Sequence, residues 1–87
     1  MSELLSALKI DLGITTDAYD TRLLQILQSA KHYITIEGIN LEESIDDQNM
    51  VIMYAGWLWQ KRRENVPMPR SLRWAMNNRL MKEKSNG

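Results

Sequence analysis

Met50-Val-Ile-Met-Tyr-Ala-Gly-Trp-Leu-Trp-Gln-Lys-Arg-Arg63, read as a helix, is apolar on nearly every side. At about 100° per residue, Val51, Tyr54, Ala55 and Leu58 form one stripe and Met50, Met53 and Trp57 a second beside it. Ile52, Gly56, Trp59 and the stem of Arg63 form a third. A helix of this kind has to be covered all round. Neighbours in a small bundle cover two stripes; the third needs another helix of the same chain or another copy of the protein.

The surrounding chain supplies such neighbours, and the whole reads as an all-α, four-helix bundle organised as one domain, residues 1–87. Leu4, Leu5 and Leu8 predict a short first helix from about Glu3 to Asp11, with Ser2 as its N-cap and Gly13 as its stop. Thr15, Thr16 and Asp17 offer caps for a second helix, with Asp17 and Asp20 as negative charge on its first turn. Its core face is Tyr19, Leu23, Ile26, Leu27, Ala30, Tyr33 and Ile34, and Arg22, Gln25, Gln28, Ser29 and Lys31 fill much of the remainder. Tyr33-Ile-Thr-Ile36 also has the β-branched character of a short strand, but a helix to about Ile36, followed by Gly38, fits the pattern before it.

Ile39 to Glu43 is a loop, and Ser44 caps the central helix, which is expected to run from Ile45 to about Glu64 with Asp46 and Asp47 in its first turn. Gly56 in mid-helix costs about 1 kcal/mol against alanine, so a close helix crossing is expected there. Val66-Pro67-Met68-Pro69 forces an extended link. Pro69 suits the first turn of a fourth helix, Arg70 to Lys84, on which Leu72, Ala75, Met76 and the Arg79 stem face inward with Leu80 at the edge. Trp74 and Met81 point the other way, and Ser85-Asn86-Gly87 is expected to fray. The expected core is Leu23, Ile26, Leu27, Ala30, Val51, Tyr54, Ala55, Leu58, Leu72 and Met76.

The formal charge is zero but unevenly divided. Up to Asn49 nine acids face three cations, a balance of −6; from Met50 onward eight cations face two acids, a balance of +6. If the halves are also poles in space, copies attract head to tail, and Lys61, Arg62, Arg63, Arg70 and Arg73 form a basic patch for DNA or an acidic partner. The plainer alternative is that these are solvated helix ends, where such charges collect anyway.

Little in the sequence points to catalysis. Asp46 and Asp47, or Glu42 and Glu43, are adjacent and point in different directions, whereas acid/base or metal work needs convergent groups. There is no phosphate loop, nucleophile elbow, zinc-protease helix or dinucleotide fingerprint. His32, near a helix C-terminus, reads as a surface residue favoured by the dipole. With no cysteine there is no disulfide framework, thiolate metal site or cysteine nucleophile. No enzyme, metal or cofactor is expected. Met1-Ser2-Glu3 lacks a basic secretory opening, and the longest apolar run, Met50 to Trp59, is far short of the roughly 20 residues that span a bilayer. A soluble protein without a membrane partner is expected.

The layout resembles a known family. Its features are a short first helix ending in Lys9-Ile-Asp-Leu12 and the amphipathic Asp20-Thr-Arg-Leu-Leu-Gln-Ile-Leu-Gln-Ser-Ala-Lys-His-Tyr-Ile34. The acidic start of the third helix, the aromatic run Tyr54-Ala-Gly-Trp-Leu-Trp-Gln-Lys-Arg-Arg63 and the segment Met68-Pro-Arg-Ser-Leu-Arg-Trp-Ala-Met-Asn-Asn-Arg-Leu80 complete the pattern. Over nearly its whole length the chain is similar to the small head-tail connector proteins of tailed bacteriophages. The resemblance implies a structural virion subunit at the head–tail junction, present in the host cytoplasm during assembly. It forms a homo-oligomeric ring beneath the portal protein, in some cases only on the portal as template. The ring extends the DNA channel with at most weak, non-specific DNA contact and docks the next head-completion or tail protein. The family has no active site to carry over, and a longer C-terminal arm is not expected here.

A ring joins unlike surfaces of neighbouring copies. The expected pair is Ile52, Gly56, Trp59 and Arg63 on the central helix against Trp74 and Met81 on the last. The alternative for Trp59 is packing on the first helix of its own chain. The alternative function is a small helical DNA-binding regulator reading bases through Arg70, Ser71, Arg73, Asn77 and Asn78, among which Trp74 fits poorly.

Overall fold

The computed structural model describes residues 2–86, without the side chains of Ser2, Ser85 and Asn86. It contains four helices: α1 (Ser2–Leu12), α2 (Asp20–Ile36), α3 (Ile45–Lys61) and α4 (Arg70–Asn86). They form a small all-α four-helix bundle in which α3 is central, packing on α1, α2 and α4. None of these helices is long and apolar enough to cross a membrane.

Local chemistry explains the boundaries. Gly13 has a positive φ of 70°, and two hydrogen bonds close the end of α1 behind it: Gly13 N–H to the Ile10 carbonyl (3.2 Å) and Ile14 N–H to the Lys9 carbonyl (2.9 Å). This is the glycine-stopped C-terminal motif in which the last carbonyls are satisfied by the two following amides. The expected Ser2 cap lies outside the described side chains. α2 begins later than Thr15, Thr16 or Asp17 would place it, with Tyr19 at the cap position and no side-chain cap. Two of those residues, Thr16 and Asp17, are engaged elsewhere. Thr16 Oγ1 accepts the Ala18 N–H within a turn (3.2 Å), and Lys9 draws in Asp17 (3.1 Å) and Asp20 (2.8 Å), fastening the end of α1 to the start of α2. The Lys9 pKa is raised, first by its hydrogen bond to Asp20 and then by that to Asp17. α2 is helical through Tyr33–Ile36, and Gly38, with φ 108°, follows its end as expected.

Ser44 caps α3 by accepting the Asp47 N–H (3.2 Å). At the other end α3 stops at Lys61, short of the expected Glu64, where the Gln60 carbonyl is shared by the amides of Arg63 (3.2 Å) and Glu64 (3.4 Å) in a closing turn. The chain then folds back over that turn, held by a hydrogen bond from the Trp57 indole N–H to the Val66 carbonyl (3.0 Å). Arg63 thus lies past the helix and does not extend the third stripe. Pro69 precedes α4, its carbonyl accepting the Arg73 N–H (3.0 Å), and the backbone of α4 is helical through Ser85 and Asn86; of the end expected to fray, Gly87 lies outside the described residues.

The core is Leu4 and Leu8 from α1, Leu23, Ile26, Leu27, Ala30 and Ile34 from α2, Met50, Val51, Ile52, Tyr54 and Ala55 from α3, and Leu72 and Met76 from α4. Ile39, a loop residue, is buried with them. Of the expected core only Leu58 is half-buried instead of buried. Tyr19 and Tyr33, placed on the core face by periodicity, are exposed at its rim, and Tyr33 stacks on Tyr54 with ring centroids 6.1 Å apart. Both tyrosines lie at ends of α2, where the stripe runs past the cover of its neighbours.

Candidate functional site

α4 runs antiparallel to α3, since Ser71 Oγ meets the Met53 sulfur (3.9 Å) while Arg79 pairs with Asp47. The second of these is a buried polar junction. Asp47 is only 1% exposed. Its carboxylate accepts the Arg79 guanidinium and the Glu42 N–H (2.6 Å). Arg79 also donates to the Asn40 carbonyl and to Glu83 (3.0 Å), which in turn accepts the Asn40 N–H (3.4 Å). Burial disfavours the Arg79 charge, but its hydrogen bonds to Asp47 and Glu83 outweigh this, so its pKa is raised. The junction fastens the α2–α3 loop, the first turn of α3 and α4 together. Both Asp47 oxygens are engaged, and among the described residues no cluster suits a metal ion. This arrangement is structural.

The outward surfaces differ in character. At the C-terminal end of α3, Lys61 lies over the Trp57 ring (4.8 Å) and the Arg62 guanidinium over the Trp59 ring (3.7 Å). Tyr19 meets Trp59 edge to face, with ring centroids 5.5 Å apart. Beside them opens a cleft of about 540 Å³ lined by Ile14, Tyr19, Trp59, Gln60, Arg62, Arg63, Glu64 and Val66, so that its rim carries an acid as well as two cations. Among the described residues neither Arg62 nor Arg63 makes an ion pair. Arg70 and Arg73, at the start of antiparallel α4, lie toward this same end of α3, while only Arg62 and Arg63 line the cleft. Arg70 and Arg73 stand on the first turn of α4, where the helix dipole disfavours positive charge.

At the opposite end of α3 lie Glu42, Glu43 and Asp46, all exposed, with Ile45 75% exposed between them. None of these three acids is ion-paired among the described residues. The −6 and +6 halves of the sequence do not become clean poles along α3: antiparallel α4 carries Lys82 and Lys84 back toward the acidic end, and Tyr19, packed on Trp59, brings Asp17 and Asp20 to the basic one.

The stripe expected at an interface divides. Ile52 is 8% exposed, and a Cβ on Gly56 would meet the Leu8 side chain of α1 at 4.0 Å, so this part of the third stripe is covered within the chain. That distance is ordinary van der Waals contact, which corrects the expectation of a tight crossing. Trp59 is half-buried, packed within its own chain against the core cluster with Tyr19 and Arg62 on its ring, while Arg63 is exposed. Trp74 (70% exposed) and Met81 (68%) do face outward from α4. Arg70, Ser71, Arg73, Asn77 and Asn78 are exposed on the same helix, and His32 is exposed on α2. Sequence reasoning missed Tyr19, Ile14 and Val66 as walls of the cleft and Ile45 as an outward apolar tip. For Ile45 a signal existed: an isoleucine just behind a serine cap, among acids, has no reason to face the core.

No family model, curated protein or solved structure matches this chain.

Proposed function

We propose that this protein is a non-enzymatic adaptor of a tailed-phage virion. In this reading it forms a ring beneath the portal, extends the DNA channel and docks the next head-completion or tail protein. The observation that carries the reading is the outer face of α4. Trp74 and Met81 stay outward on a domain whose α1–α3 core is closed without them, and large apolar side chains left on a small domain mark a surface for another protein. The resemblance of the helix pattern to connector proteins supplies the kind of assembly. Electron microscopy of purified portal mixed with the full chain tests it: ring density on the portal, lost with Trp74→Glu in a subunit that still melts cooperatively, is the expected result. Portal rings left bare by the unaltered chain reject the proposal.

The cations gathered at the α3–α4 turn favour a second reading, a small DNA-binding regulator. The adaptor reading requires DNA binding that is weak, indifferent to sequence and steeply lost with salt. Tight preference for one duplex over random competitor at physiological salt selects the regulator.

A further inference from the structure

α4 has two faces of opposite chemistry. At about 100° per residue, Leu72, Met76 and Arg79 lie on the side turned to α3, and Arg70, Trp74, Asn77 and Met81 fall on the opposite, exposed stripe, with Arg73 and Lys84 along one edge and Lys82 beyond the other. α4 carries five cations and one acid. Arg79 and Glu83 pair with each other, so the outward face is left with a balance of +4 on a chain that is neutral as a whole. Among the described residues none of Arg70, Arg73, Lys82 and Lys84 makes an ion pair. Folding does not account for this placement. Arg70 and Arg73 stand on the turn where the helix dipole disfavours them, with no acid beside them, and at the centre of the same face Trp74 is 70% exposed.

We infer that α4 lays this face into an acidic groove of another protein, with Trp74 filling an apolar pocket in the groove floor and Arg70, Arg73, Lys82 and Lys84 meeting carboxylates on its walls. A helix set in a groove by an aromatic anchor is a recurring mode of recognition. Here the cations orient the approach, and the buried indole holds the complex once formed. Duplex DNA offers charge for the cations but no pocket that would take an indole out of water. A helix that lies on a membrane needs a broad apolar face, and the apolar face of α4 is turned inward on α3. Within the adaptor reading, on which this rests, the groove belongs to the portal.

Binding kinetics of the full chain on immobilised, purified portal separate the two contributions. Replacing the four cations together, Arg70→Gln, Arg73→Gln, Lys82→Gln and Lys84→Gln, should slow association by about tenfold or more at low salt and flatten its decline with salt, with dissociation changed much less. Trp74→Ala should act the other way, speeding dissociation by about tenfold or more at every salt concentration. Both variants should keep the helicity and melting of the unaltered chain, because none of these side chains is buried. Association unchanged in the four-glutamine variant, or dissociation unchanged in Trp74→Ala, overturns the acidic groove and leaves the adaptor reading in place. A portal that the unaltered chain does not bind rejects that reading, and the groove with it. Tighter binding of the unaltered chain to random duplex DNA or to phosphatidylserine vesicles than to portal, at the same salt, also overturns the groove, because the cations would then serve phosphate.

Discussion

α3 is held on one side by α1 and α2 and on the other by α4, and the two sides are built differently. The α1–α3 side is a dry interior in which Leu8, Leu23, Leu27, Ala30, Ile34 and Ala55 are fully covered. α4 inserts two buried apolar side chains, Leu72 and Met76, with Ala75 and Leu80 half-buried beside them, and is fastened at its far end by the Arg79–Asp47–Glu83–Asn40 network. Close packing needs no particular polar partner but is sensitive to any missing volume. A polar junction depends on every partner being present. The first side is therefore the part of the molecule that secures folding, and α4, which carries the outward Trp74, is the part whose attachment is separable.

The largest effect should come from the first side. Leu27→Ala is expected to cost about 2 to 5 kcal/mol, a large share of the stability of a domain of this size, read as the drop in the urea midpoint. Leu58→Ala should cost clearly less, because that side chain is only half-buried. Equal losses would mean that the packed interior extends to the end of α3.

The junction should come second. Arg79→Met keeps the apolar stem and leaves the Asp47 carboxylate buried without its cation, at a cost of about 2 to 3 kcal/mol. This lies below the ~3 to 5 kcal/mol of a fully buried pair, because Arg79 retains some exposure. Hydrogen exchange should show protection falling across α4 and unchanged in α2. Uniform loss across all four helices would show that α4 is no separate unit.

A gain is expected between the two sides. Gly56 has helical geometry, and an added Cβ would sit 4.0 Å from Leu8 Cδ1. Gly56→Ala should therefore stabilise the fold by about 0.4 to 1 kcal/mol, measured by thermal unfolding. Destabilisation would mean that α1 approaches α3 more closely than this separation.

The packed side was also the legible side. Apolar periodicity marked the buried faces of α2 and α3 and the inward edge of α4, and glycines marked where α1 and α2 stop, because both signals are local. The junction was not legible. Asp47 stands three residues behind the Ser44 cap, a position that also suits an exposed acid interacting with the helix dipole, and only the fold brings Arg79 to it from 32 residues away. The end of α3 was misplaced for a similar reason, since Trp57 receives its Val66 partner from the returning chain. The cleft combines Ile14 and Tyr19 with Trp59 and Val66, from segments at least 40 residues apart, so no sequence window contains it.

The smallest expected effect is electrostatic and belongs to the packed side. Tyr54 is buried, and burial, followed by the charges of Glu37 and Tyr33, raises its pKa above the ordinary value near 10. In the unfolded chain the phenol loses its proton first, so the folded state holds more protons above pH ~10, and stability falls as pH rises. The Tyr54 contribution is complete below the ordinary value and is lost as pH passes through the raised one. Lys9, raised by Asp20 and Asp17, acts with the same sign. Tyr54→Phe should thus remove a late ionisation step from the absorbance titration at the tyrosinate band and flatten, without abolishing, the decline in stability above pH ~10. If the titration keeps that late step in Tyr54→Phe, the tyrosine shielded by the interior is not Tyr54, and the packed side ends closer to the middle of α3 than its buried residues imply.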